Sequence, residues 1–146
     1  MEAIGEGLAK ACDEGRVGAV RFVILGKIKP AVRMTQRGKW VDPQAQEYLA
    51  SKQSVGLQLR QQMTANGWEM LPPKTPLSVR IVFTMPNYVH VADIDNQIKA
   101  TLDSAQGIVF KDDRWVDVLS AERCKGQDYL TVIEVRTIAE AMRELA

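Results

Sequence analysis

The segment "DIDNQIK" (93–99) holds two carboxylates two residues apart, Asp93 and Asp95, with Lys99 four residues beyond the second. A second acidic pair, Asp112-Asp113, follows in "FKDDRW" (110–115). If Asp93 is extended just before a helix, the two side chains project to one side with Cα atoms roughly 6–7 Å apart. Carboxylates so arranged suit a hard cation such as Mg²⁺, which takes one or two of them and completes an octahedral shell with water or phosphate oxygens. Asp113, or its neighbour Asp112, joins them if the chain returns to the start of the helix. Lys99, one turn beyond Asp95, can reach the same cluster and balance charge that builds on a phosphoryl group. The chemistry on offer is metal-assisted phosphoester hydrolysis.

Plainer roles fit the same residues. Asp95 suits a helix N-cap, Asp95/Lys99 and Lys99/Asp103 are ordinary i, i+4 pairs, and Asp112-Asp113 suits a turn. A calcium loop of the EF-hand type is excluded, because counting from Asp93 its required glycine is Ile98 and its closing glutamate is Ser104.

The elements that must position these residues are legible in the periodicity. "AVRFVILGKI" (19–28) reads as a strand, and Asp42-Pro43 as a helix start. Ala45, Tyr48, Leu49, Val55, Leu59 and Met63 then recur at helical spacing until Asn66-Gly67. "LSVRIVFTM" (77–85) alternates, with Leu77, Val79, Ile81, Phe83 and Met85 on one face. A helix of about a dozen residues follows "DIDN", with Ile94, Ile98, Leu102 and Ala105 as its apolar stripe and Gly107 as its stop. Trp115 to Glu122 and Tyr129 to Arg136 read as two strands in an antiparallel hairpin. Residues 1–14 and "TIAEAMRELA" (137–146) read as short amphipathic helices. The expectation is one α+β domain over 1–146: a mixed sheet in the order β-α-β-α-β-β, helices packed on it, and extra short helices at both ends.

Charge is unevenly placed. Arg16, Arg21, Lys27, Lys29, Arg33, Arg37 and Lys39 occur between residues 16 and 41 without one acid, leaving 12 basic against 18 acidic residues elsewhere. That split points to a local surface for a polyanion or to a solvated basic loop. His90 is the sole histidine, which argues against a His-rich zinc site or a Ser-His-Asp triad. Cys12 and Cys124 belong to no metal-binding cluster, as in a reduced, cytoplasmic protein. No segment approaches the roughly 18 apolar residues of a membrane span, and the N-terminal residues do not form a signal peptide.

Taken together, "DIDNQIKATLDSAQGIVFKDDRWVD" (93–117) resembles the signature of the RusA family of Holliday-junction resolvases: Asp-x-Asp-Asn at a helix start, a Lys one turn on, an Asp after a further turn, and a paired Asp-Asp after a short linker. The resemblance covers about residues 20–136. It implies a homodimeric, Mg²⁺- or Mn²⁺-dependent endonuclease acting on four-way and other branched DNA, common in phage-derived regions. Asp93, Asp95 and Asp113 correspond to metal-binding acids, Lys99 to the essential basic residue, and Asp112 to a neighbouring acid that joins the ion or stands beside it. Asn96 supports the helix start, and Asp103 is structural. Two departures stand out. Gln97-Ile98 replaces an apolar-then-polar order, which predicts a rotated helix, and "NYVHVA" before Asp93 lacks basic residues.

On this reading Lys27, Lys29, Arg33, Arg37 and Lys39 neutralise DNA phosphates. Trp40 packs in the core or stacks on an unpaired base, Trp68 and Trp115 pack, and His90 is a bystander. Two other classes remain compatible with the residues: a branched-DNA-binding module without catalysis, and a metal-dependent hydrolase of small phosphate esters.

Overall fold

The structure, a computed structural model, describes residues 20–32, 42–88 and 91–145. In chain order the elements are β1 (Val20–Leu25), α1 (Pro43–Asn66), β2 (Leu77–Met85), α2 (Ile94–Ala105), a 3₁₀ turn (Asp113–Trp115), β3 (Val116–Lys125), β4 (Leu130–Thr137) and α3 (Ile138–Leu145). The expected α+β class and the C-terminal helix are present. The N-terminal helix expected over 1–14 lies outside the described residues, as do Cys12, Arg33, Arg37, Lys39, Trp40 and His90.

Helix α1 starts and stops where its capping residues dictate. The Asp42 carboxylate accepts from the Gln44 amide at 2.9 Å, and Pro43 occupies the first turn, where no amide donor is missed. Gly67 closes the helix at φ 65°, a left-handed conformation that glycine adopts without strain. Its stripe of Ala45, Tyr48, Val55, Leu59 and Met63 is buried, while Leu49 is only half-buried. Phe22 and Trp68 meet edge to face at 5.3 Å within the same core.

The sheet order is β1-β4-β2-β3, with β4 antiparallel to both its neighbours and β3 parallel to β2. This corrects the expected hairpin: β3 and β4 are consecutive but do not pair, because β2 lies between them. Burial explains the order. β4 carries buried Thr131, Ile133, Glu134 and Val135, a strand able to lie inside a sheet, whereas β3 is exposed or half-exposed along its whole length and suits an edge. The loop from β3 to β4 therefore crosses the end of β2. There Gly126 donates to the Met85 carbonyl at 2.8 Å, and a Cβ at this position would overlap Thr84 Cγ2. Only glycine allows so close a crossing without displacement.

The opposite edge is covered. Gln62 exchanges hydrogen bonds with both the amide and the carbonyl of Val23 (3.0 and 2.8 Å), and Gln58 does the same with Leu25 (2.9 and 3.1 Å). Two side chains of α1 thus satisfy the outward backbone groups of Val23 and Leu25 in β1.

Helix α2 buries Gln97, Ala100, Thr101, Ser104 and Ala105, while Ile94, Ile98 and Leu102 are half-buried. The helix is therefore rotated from the Ile94/Ile98/Leu102 stripe, with Gln97 rather than Ile98 turned to the interior, opposite to the burial that the Gln97-Ile98 order favours. Its buried face consists mainly of small or hydroxylated residues. The Thr101 and Ser104 hydroxyls are satisfied by donating to carbonyls four residues back, at 2.9 and 2.8 Å.

Candidate active site

Asp93 sits at the N-cap position of α2 with extended backbone (φ −62°, ψ 140°), yet its side chain makes no capping hydrogen bond. Asp95 lies inside the first turn rather than at the cap, and its Oδ1 accepts from the Asn96 amide at 2.9 Å. Both residues are exposed. The capping role envisaged for Asp95 is therefore not taken, because the helix begins at Ile94. Lys99 is exposed, and among the described residues it forms no ion pair with Asp95 or Asp103.

Asp103 has a structural bond: it accepts from the Tyr48 hydroxyl at 2.9 Å, tying α2 to α1. Burial, followed by that bond and the Asp103 charge, pushes the Tyr48 hydroxyl well above the ordinary phenol range. Asp112 caps the 3₁₀ turn. Its Oδ1 accepts from the Arg114 amide at 3.0 Å and its Oδ2 pairs with Arg114 Nε at 3.1 Å. The amide bond chiefly, with help from the Arg114 charge, holds its carboxyl below the usual range. Asp113 is shifted the other way. Partial burial raises it first, then a hydrogen bond to Asp112 and the negative charges of Asp112 and Asp103.

The fold brings Asp113 into the electrostatic neighbourhood of Asp112 and Asp103, and it brings Asp93 to a cleft of about 510 Å³ lined by Lys27 and Lys29. Among the described residues no three His, Cys, Asp or Glu side chains are grouped so as to hold a metal ion. The same cleft is lined by Gln44, Glu47 and Tyr48 of α1 and by Asn96 of α2. A backbone bond from the Ala31 amide to the Asn96 carbonyl (3.2 Å) fastens the segment after β1 to the first turn of α2. Lys27 Nζ also lies 5.5 Å from the Tyr129 ring centroid, an arrangement that favours the cation over the aromatic face. Trp68 and Trp115 pack against the core, as expected.

Arg123, Gln44, Glu47 and Tyr48 carry no local sequence signal that marks them as site residues. From β3, Arg123 Nη1 donates to the Ala92 carbonyl at 2.7 Å, immediately before Asp93. Nothing local distinguishes it from other strand arginines, since its partner lies 31 residues away. Tyr48 was legible only as part of an apolar stripe. A buried tyrosine needs a partner for its hydroxyl, but the spacing does not name that partner. Gln44 and Glu47 are ordinary residues near the start of α1 until the fold lays Asn96 beside them.

Among the described residues no helix is long and apolar enough to cross a membrane. Compared with protein-family models, residues 22–136 match the one described as Endodeoxyribonuclease RusA. No curated protein matches the chain.

Proposed function

The chain belongs to the RusA endodeoxyribonuclease family, and from that premise we propose that it resolves four-way or other branched DNA by metal-dependent hydrolysis of phosphodiesters, acting as a homodimer. The observation that carries this reading is the joint spacing of Asp93, Asp95, Lys99 and Asp113 inside the matched region, with Lys27 and Lys29 on the cleft that reaches Asp93.

The donor type suits a hard divalent cation, although among the described residues the three carboxylates are not drawn together as one ligand set. Every candidate ligand is a carboxylate, Asp93 is not committed to capping its helix, and Asp113 stands among acids whose mutual repulsion a cation would relieve. Asp93, Asp95 and Asp113 would hold Mg²⁺, or Mn²⁺ in its place. Asp112 is a weaker candidate, because Arg114 engages both its oxygens. When bound, the ion supplies an activated water and neutralises a non-bridging phosphate oxygen. Lys99, unpaired among the described residues, offers its ammonium to the charge that grows on phosphorus. Lys27 and Lys29, with Arg33, Arg37 and Lys39 beyond the described residues, hold the DNA backbone without reading its sequence. A four-way junction has approximate two-fold symmetry and needs two nicks, which suits two copies of the chain about one axis.

The test is incubation of the protein with a labelled four-way junction and with linear duplex, in Mg²⁺ and in EDTA, beside Asp95→Asn. Metal-dependent nicking of the junction, lost in Asp95→Asn while binding persists, is expected. Junction binding with no nicks in Mg²⁺ or Mn²⁺ would overturn the catalytic reading. A monomer by light scattering that still makes both cuts in one binding event would overturn the dimer.

A further inference from the structure

The cleft beside Asp93 holds more chemistry than backbone contact requires. Its volume of about 510 Å³ lies within the range of roughly 300–1,000 Å³ typical of pockets for small organic groups. Gln44, Glu47 and Tyr48 stand on one face of the first turns of α1, at i, i+3 and i+4, and Asn96 faces them from the first turn of α2. Tyr48 is buried, and its hydroxyl is already committed to Asp103.

The side chains of Gln44, Glu47 and Asn96 form no hydrogen bond with another described residue. Among the described residues, two amides, each with donor and acceptor, and one acceptor-only carboxylate thus have no partner and can bond whatever enters. Half-buried Pro30 and Val91 supply apolar wall between them. A bare phosphate does not match such a site, since the Glu47 carboxylate opposes it and the apolar wall gives it nothing. A flat, partly apolar ring with several donors and acceptors on its edge does match. Lys27 and Lys29 line the same cleft and are placed to take the phosphate attached to that ring.

We propose that this cleft is a nucleobase subsite: it accepts one unstacked base of the DNA strand, with Gln44, Glu47 and Asn96 reading the base edge and Lys27 and Lys29 holding its phosphate. The inference rests on the nuclease reading and adds to it a determinant of cut-site preference. A branch point suits such a pocket, because bases there unstack at lower cost than in continuous duplex.

The experiment uses the full chain and a series of four-way junctions in which the base at each position around the cut is set in turn to all four identities and to an abasic site. Cleavage in Mg²⁺ and binding in EDTA are measured for wild type, Gln44→Leu and Glu47→Gln, with deoxynucleoside monophosphates as competitors. At one position wild type should prefer one base by about 10-fold or more, and the abasic junction should lose a similar factor. Both variants should narrow that preference to within about 3-fold, and free mononucleotides should compete only weakly.

Cutting at equal rates on all four bases and on abasic junctions would overturn the subsite while leaving the nuclease. A preference unchanged in both variants would do the same. No cutting, but base-dependent binding that the variants abolish, would overturn the nuclease reading and keep the subsite. Tight capture of free mononucleotides with no dependence on the DNA base would assign the cleft to a small ligand and overturn the proposal.

Discussion

Arg123 of edge strand β3 donates from Nη1 to the carbonyl of Ala92 at 2.7 Å, and so fixes the peptide that leads directly into Asp93. A guanidinium bond to a half-buried carbonyl is among the stronger hydrogen bonds in a protein, at about 1.5–3 kcal/mol. On the proposed reading its role is positional. Arg123→Met keeps the stem and removes the bond, and the turnover rate should fall by about 10- to 100-fold with KM for the junction changed by less than about 3-fold. Arg123→Lys should restore part of the rate. Steady-state kinetics on a labelled junction check both, and a change confined to KM would assign Arg123 to DNA contact instead.

Asp113→Asn should stabilise the metal-free protein at neutral pH. The folded state raises this carboxyl above its unfolded value, by burial and by Asp112 and Asp103. Its unfavourable ionisation is therefore absent at pH below the unfolded value and develops as pH rises through the folded value. The gain in the variant should vanish near pH 3, and with solvent screening it should stay below about 1 kcal/mol at pH 7. Urea unfolding in EDTA at both pH values checks the sign. Clear destabilisation at pH 7 would show that Asp113 is needed by the turn. Nuclease activity should be lost in the same variant.

Tyr48→Phe removes the hydroxyl that Asp103 accepts, at a cost of about 1–2 kcal/mol. It should also alter the alkaline limb of the stability curve. Tyr48 stays neutral in the fold well above the pH at which it ionises in the unfolded chain. Its contribution is thus complete below about pH 10 and is lost as pH rises toward the folded value. Denaturation between pH 9 and 11 should show a steeper decline in wild type than in Tyr48→Phe, and parallel curves would contradict the assignment.

Gly126→Ala should destabilise by about 1–3 kcal/mol, since the added methyl overlaps Thr84 Cγ2 where the chain crosses β2. Adding Thr84→Ser removes the obstructing methyl and should recover most of the loss in a double-mutant cycle. Additive effects would mean that the crossing is not the source of the cost.

Replacing both Lys27 and Lys29 by alanine should weaken junction binding and lower the slope of log affinity against log salt by about 1–2. Fluorescence anisotropy between 50 and 200 mM salt measures it. An unchanged slope would remove these lysines from the DNA surface.

Residues close together in the chain determined much of this protein before folding is considered. Asp42-Pro43 and Gly67 bound α1, alternation marks the buried face of β2, and the spacing of Asp93, Asp95, Lys99, Asp112 and Asp113 points to the matched family. Capping, alternation and motif spacing act within a few residues, so they survive in a bare sequence. The partner of β3, the glutamine cover on β1, the bond from Arg123 to Ala92 and the cleft joining Lys27, Gln44 and Asn96 were decided only by the tertiary structure. Each depends on groups dozens of residues apart. Which of two consecutive strands lies inside the sheet is settled by the burial that helices and neighbouring strands jointly impose, and β4 rather than β3 carries the residues that can bear it.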